Sequence, residues 1–199
     1  METEQLWDQK LHIHTIGRID DHADVHRYPY EPTPYSVLER LAESGYIRRE
    51  NHLIDYGCGK GRVGFYLNHT IGCRSMGIEY ERAIYEAAID NCKAYGEYRG
   101  VDFAFANAET YKVGDADVFY FFNPFSAEIL RSVMAQILEE FYENPRTMRL
   151  FFYYPNDAYM AYLMSVDELD LLDEIDCRDL FPGDDYREKI MIFELRNYF

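Results

Sequence analysis

Cations are scarce in this sequence: 20 Lys and Arg stand against 36 Asp and Glu, for a formal net charge of −16. So acidic a chain repels a phosphate backbone and an anionic bilayer. This argues against a general nucleic-acid or membrane-surface binder, while leaving room for a small patch that reads RNA. Cysteine is sparse as well, and Cys58, Cys73, Cys92 and Cys177 show neither C-x-x-C nor zinc spacing. Reduced thiols in a cytoplasmic protein are the expectation. Long apolar runs are also missing. The longest, DVFYFFNPF and LFFYYP, fall well below a membrane span, and METEQLWDQK has neither the basic start nor the apolar segment of a secretory signal. No G-x-x-x-x-G-K-[ST] loop, no H-E-x-x-H pair and no Ser-His-Asp order can be found. There is likewise no evident repeat, linker or low-complexity tract.

What is present is a globular chain of 199 residues, 48% hydrophobic, long enough for one domain with a sizeable core and too short for two ordinary ones. With 19 Tyr and 13 Phe, much of that core must be aromatic. The expected organisation is a single domain over 1–199, with 1–32 as an N-terminal arm or lid and 33–199 as the core. The arm carries His12, His14, His22, Asp24 and His26 at alternate positions, as metal ligands on an extended strand can be. Without a tight zinc pattern it reads instead as a polar segment with solvated histidines, and no metal is expected.

Thr33 as N-cap and Pro34 at the first helical position open a helix whose stripe is Val37, Leu38, Leu41 and Ala42. Leu53 and Ile54 form a strand leading into Asp55. Gly57, Gly59 and Gly61 then fall at alternate positions, where the chain must turn sharply and a ligand can approach bare backbone. A helix from Arg62 points its free amides back at that turn. The strand from Cys73 to Glu79 places a carboxylate twenty positions after Gly59, where a βαβ unit offers an acid to a ribose. Further on, helices are expected over 81–95, from Ser126 through Phe141 and over about 157–165. Strands are expected over 101–106, 116–122 and 148–154, with a closing antiparallel hairpin of 168–177 and 188–197. Alternating strands and helices imply a three-layer α/β sheet. The acidic run from Asp167 to Asp176 reads as a strand with a solvated face rather than a metal site.

Two ligands suit the glycine turn. Gly59-Lys60-Gly61-Arg62-Val63-Gly64 satisfies the dinucleotide pattern G-x-G-x-x-G, which alone is weak. Asp55-x-Gly57-x-Gly59-x-Gly61 is more specific, and here the chain resembles the class I S-adenosylmethionine-dependent methyltransferases. An Asp at the strand end opposes a pyrophosphate and suits an ammonium and a sulfonium. The resemblance spans 33–199 and implies a Rossmann-like methyltransferase fold, a mostly parallel seven-stranded sheet with a C-terminal antiparallel hairpin. It implies S-adenosyl-L-methionine as cofactor. Asp55, Gly57, Cys58, Gly59 and Gly61 would lie at its methionine end, with Cys58 a small filler rather than a nucleophile. Glu79 and Tyr80 would lie at the ribose, and Asn107 and Ala108 at the adenine.

Asn123-Pro124-Phe125, at the end of the apolar strand, resembles the [DNS]-P-P-[YFW] signature of enzymes that methylate planar nitrogens. Phe125 stands where the second proline would be, and Ser126 where the aromatic would be. The resemblance makes Asn123, Pro124 and Phe125 the catalytic set, with Asn123 also beside the cofactor and Phe125 packing on the acceptor. Tyr30 and Tyr35, in a segment stiffened by prolines, either cover the mouth of the site on the substrate side or pack the helix that follows. The implied function is methyl transfer to a small molecule or a protein side chain. An NAD(P)-dependent oxidoreductase and a non-catalytic S-adenosylmethionine-binding regulator are the alternatives.

Overall fold

The computed structural model describes residues 2–19, 29–96 and 100–196. Seven strands form one sheet in the order β3-β2-β1-β4-β5-β7-β6. They are β1 (His52–Tyr56), β2 (Arg74–Glu79), β3 (Val101–Phe105), β4 (Val118–Phe121), β5 (Arg149–Tyr153), β6 (Leu169–Asp176) and β7 (Lys189–Leu195). The first five run parallel, and β7 enters antiparallel between β5 and β6. The order reverses between β1 and β4, the switch point at which open α/β sheets hold ligands beyond their carboxyl ends.

The central strands are apolar throughout because helices cover both faces. One face of β1, β4 and β5 presents Ile54, Tyr56, Phe119, Phe121, Leu150 and Phe152 to α5 (Ala127–Glu143) and α6 (Asp157–Leu163). The helix α5 buries the stripe Ile129, Leu130, Val133, Met134, Ile137 and Phe141, and Ser126 caps it by accepting from the Ile129 amide. The other face presents Leu53, Val118, Tyr120, Phe151 and Tyr153 to α2 (Tyr35–Glu43) and α3 (Arg62–Ile71), with Tyr95 at the end of α4 (Arg82–Tyr95). Asp55 alternates with Leu53, so it belongs to this second face at the strand's end.

Two expectations about the N-terminal region change. Residues 1–32 show no period in the sequence, yet Glu2–Leu11 is a helix, α1, which packs Trp7 against Tyr35 and Tyr66. Thr33 does not cap α2. Pro34 is the N-cap, without a side-chain hydrogen bond, and the Thr33 hydroxyl pairs with Tyr120 Oη at 3.0 Å. The Tyr35 amide at the start of α2 donates instead to Glu4 Oε1 at 3.1 Å, which leaves the Thr33 hydroxyl to the buried phenol. The pair His12 and His14 is exposed, whereas His22, Asp24 and His26 lie outside the described residues. Among the described residues no three His, Cys, Asp or Glu come together as metal ligands, and no helix is long and apolar enough to cross a membrane. The strand β6 carries the acidic run with most of its side chains exposed, beside the sheet's edge.

Candidate active site

The crevice at the switch point is built first by what its glycines exclude. At Gly57 (φ 69°) a Cβ would fall 2.2 Å from Pro124 Cβ, so the turn after β1 and the turn after β4 touch through bare backbone. At Gly59 (φ 57°) a Cβ would fall 2.1 Å from Tyr30 Cε2, so the Tyr30 ring rests on the loop. The amides of Gly57 and Cys58 donate to Ile78 O at 2.9 and 3.1 Å, tying the loop to β2. The next helix, α3, starts after Gly61 with no side-chain cap.

Four acidic residues, Glu31, Asp55, Glu79 and Glu81, line the crevice, and two of them come from the ends of β1 and β2. Glu79 is fully oriented: Oε2 accepts from the Gly59 amide at 3.1 Å, and Oε1 from the Tyr80 and Glu81 amides at 2.8 and 2.7 Å. Burial raises its pKa above the ordinary range, and the three amides oppose that rise. Asp55 is the reverse case. It is 3% exposed, and its Oδ2 has no hydrogen-bond partner among the described residues. Burial, with Glu79 adding to it, pushes its carboxyl from 3.8 up to about 8. A buried acid of this kind lacks a donor, which the described residues do not supply.

The remaining wall is apolar, with Ile84, Ala106 and Ile129 next to Asn107 and Ala108. Asn107 caps a single 3₁₀ turn, Ala108–Thr110, by accepting from the Glu109 amide at 3.1 Å. On the other side, Asn123 takes a left-handed backbone (φ 40°). Its Nδ2 donates to Tyr154 O at 2.6 Å, while its Oδ1 accepts from the Asn156 amide and Nδ2 at 3.3 and 3.2 Å. Asn156 in turn caps α6. The turn after β4 is therefore fastened to the turn after β5. Phe125 lines the crevice and is also core, edge-on to Phe121, its carbonyl accepting from Tyr159 Oη at 2.6 Å.

No family model matches the sequence, and no curated protein matches it. Solved structures do. An RNA methyltransferase from Salinibacter ruber, in complex with S-adenosyl-L-homocysteine, superposes with a TM-score of 0.55 at 19% identity, over 85% of this chain and 96% of that one. A TehB-like S-adenosylmethionine-dependent methyltransferase from Corynebacterium glutamicum gives 0.57 at 14% identity over 98% and 97%. A protein of the NADB-Rossmann superfamily from Streptococcus agalactiae gives 0.61 at 15% over 83% and 70%. The fold is that of the Rossmann-like methyltransferases. At such identities the likeness is one of architecture alone.

Within that architecture, Asp55, Gly57, Cys58, Gly59, Glu79, Tyr80, Asn107, Ala108, Asn123, Pro124, Phe125 and Tyr30 all border one crevice. Gly61 lies one turn behind it, against Phe103 and Phe65. Cys58 is buried, its thiol pushed well up by desolvation, which leaves it inert as a nucleophile. Tyr35 does not belong to the site. It is fully buried in the second core face, and its Oη donates to Asp8 Oδ1 at 2.7 Å. Position 35 falls on the inward stripe of α2 with Leu38, which turns the ring away from the mouth.

The residue the sequence reading missed is Arg62. It is 3% exposed; Nε donates to Thr15 Oγ1 at 2.7 Å, and Nη1 donates to Thr33 O at 3.1 Å and to Glu4. The chain after α1 is drawn across the loop by these bonds. It is held further by Asn91, which accepts from the His14 amide and donates to Lys60 O. No local pattern signals such a cluster, because its members lie far apart in sequence.

Proposed function

We propose that the crevice binds S-adenosylmethionine and that the protein passes its methyl group to an acceptor beyond Asn123. One observation carries this reading: the buried carboxylate of Asp55, whose Oδ2 has no partner among the described residues, in a crevice bordered by a glycine turn. The ammonium of the donor's methionine end supplies the cation that Asp55 lacks. A pyrophosphate would put two negative charges against Glu79 and against an Asp55 that burial already keeps from ionising, and neither acid offers it a cation, which speaks against a nicotinamide dinucleotide. Glu79, already oriented by three amides, is preset to accept from ribose hydroxyls, and Ile84, Ala106 and Ile129 suit the flat face of adenine.

When bound, the donor contributes an electrophilic methyl group on sulfur. The chain contributes position, which suffices for much of the rate in an in-line transfer. Asn123 serves as a positioning residue: its Oδ1 already accepts two bonds from Asn156, so it shapes the turn rather than receiving the acceptor's hydrogens. The full engagement of Asn123 also favours a second reading, a protein that binds the donor without turnover. RNA remains among the acceptors to be tried, since several similar structures are RNA, tRNA or rRNA methyltransferases by name, although the net charge of −16 favours a neutral or cationic partner.

Isothermal titration with S-adenosylhomocysteine tests the donor site. One-to-one binding, lost in Glu79→Ala, is expected, and NADH binding in its place overturns the reading. Labelled-methyl transfer to a cell extract, compared with Asn123→Ala, separates enzyme from sensor.

A further inference from the structure

A second cavity opens on the far side of Asn123. It shares Pro29, Glu31, Phe122 and Asn123 with the first crevice and extends to Tyr154, Phe181 and Glu188. Its walls are aromatic and set at an angle. The Phe122 ring lies 6.4 Å from that of Tyr154 at 87°, and 4.7 Å from that of Tyr153. Rings crossed in this way offer a corner in which a flat molecule stacks on one face and meets an edge with the other.

The charges of this cavity are unevenly matched. Arg187 lies 4.4 Å from the Tyr154 ring and is paired with Asp185 at 3.1 Å, and Arg18 is paired with Glu31 at 3.2 Å. Both cations of the wall are thus already neutralised. Glu188 is not: its Oε2 accepts from Tyr153 Oη at 2.7 Å, but among the described residues no cation pairs with it. Burial raises its carboxyl above the ordinary range, with the Tyr153 hydroxyl and the nearby Arg187 opposing the rise and Asp185 adding to it. An aromatic corner with one unpaired acid suits a cation or a hydrogen-bond donor carried on a ring.

Building on the donor site proposed above, we propose that this second cavity holds the methyl acceptor and that the acceptor is a small aromatic amine, its ring against Phe122 and Tyr154 and its amine toward Glu188. The two cavities meet at Asn123, so the acceptor's reacting atom and the donor's methyl approach one another there. In the transfer the lone pair of a ring hydroxyl or ring nitrogen, at the end of the acceptor away from its amine, forms the new bond to carbon, and the carbon–sulfur pair stays on sulfur. The acceptor takes up the positive charge and sheds a proton to solvent.

The test titrates tyramine, tryptamine and benzylamine, and separately 4-hydroxyphenylacetate, into protein saturated with S-adenosylhomocysteine. At least one amine should bind about tenfold tighter than the carboxylate, and Phe181→Ala and Glu188→Gln should each weaken it about tenfold. Neither substitution should alter the affinity for S-adenosylhomocysteine, since neither residue borders the first crevice; melting curves establish that both variants fold. If S-adenosylhomocysteine binds but no amine does, or if the carboxylate binds equally well, this inference fails while the donor site stands. If S-adenosylhomocysteine itself does not bind, the donor reading fails first. A short RNA hairpin that binds the saturated protein tighter than every amine overturns the inference in favour of a nucleobase in RNA.

Discussion

Asp55→Asn removes one charge from the crevice and leaves the side-chain shape intact. In the folded protein this carboxyl is pushed from 3.8 to about 8, by burial first and Glu79 second; in the unfolded chain it ionises near its ordinary value of about 3.9. Between those pH values the folded state keeps a proton that the unfolded state has lost. Stability is therefore fully present below about pH 4, falls as pH rises and levels off above about pH 8. At about 1.4 kcal/mol per pH unit, the three units up to pH 7 cost the ligand-free protein roughly 4 kcal/mol. Asparagine does not titrate, and its unpaired amide costs about 1–3 kcal/mol. The variant should then be more stable at pH 7 by roughly 2 kcal/mol, or about 4–8 °C in Tm for a chain of this size. At pH 5 the gain should vanish. The same change should weaken S-adenosylhomocysteine binding at least about tenfold, because the ammonium loses its counter-charge. The unsubstituted protein should release close to one proton on binding at pH 7, visible as heats that depend on the buffer's ionisation enthalpy. Thermal scans from pH 5 to 8.5 and calorimetry in two buffers make the assay. An Asp55→Asn protein no more stable at pH 8 than its parent, or one that binds the nucleoside equally well, refutes the reasoning.

Gly59→Ala brings a Cβ to 2.1 Å from the Tyr30 ring at φ 57°. Nucleoside affinity should fall about tenfold, and adding Tyr30→Ala should restore only part of it, since the backbone strain of about 1–2 kcal/mol remains. Arg62→Met leaves Glu4 and Asp8 without their buried counter-charge; urea unfolding should register a loss of about 3–5 kcal/mol. Tyr35→Phe deletes one buried hydrogen bond to Asp8. It should cost about 1 kcal/mol and leave nucleoside affinity unchanged, whereas a change in affinity would return Tyr35 to the site.

Local chemistry was readable wherever a residue's role depends on its immediate neighbours in sequence. The turn at Gly57 to Gly61, the Ser126 cap and the α5 stripe all satisfy short-range rules, and each stands where those rules put it. The spacing from Gly59 to Glu79 is legible for the same reason: one βαβ unit fixes it, and the structure closes it with a hydrogen bond. Roles decided by distant partners were not readable. Asn107 and Asn123 border the crevice, yet their carboxamides are occupied by Glu109 and by Tyr154 and Asn156. Nothing in Asn-Pro-Phe announces that the following strand's turn will claim it. Tyr30 and Tyr35 sit five positions apart in one proline-rich segment, and only the start of α2 at Tyr35 separates the ring over the loop from the ring in the core.

The same distinction explains the N-terminal segment, whose sequence shows no clear period. A glycine turn feeding an uncapped helix is by default a site for anions, because free amides and the helix dipole both present positive charge. Two cations, Lys60 and Arg62, flank the turn and would strengthen that preference. Both are taken up by the N-terminal segment: Lys60 donates to Ile16 O at 3.4 Å, and Arg62 is enclosed by Glu4, Asp8, Thr15 and Thr33. The crevice is bordered by Arg62 itself and by the carboxylates of Glu31, Asp55, Glu79 and Glu81. On the reading proposed above, the acids of the crevice outweigh the loop's preference for a phosphate and favour a ligand bearing a cation and hydroxyl groups. Glu4 and Asp8 engage Arg62, which is how residues so plain in sequence bear on the chemistry proposed for the site.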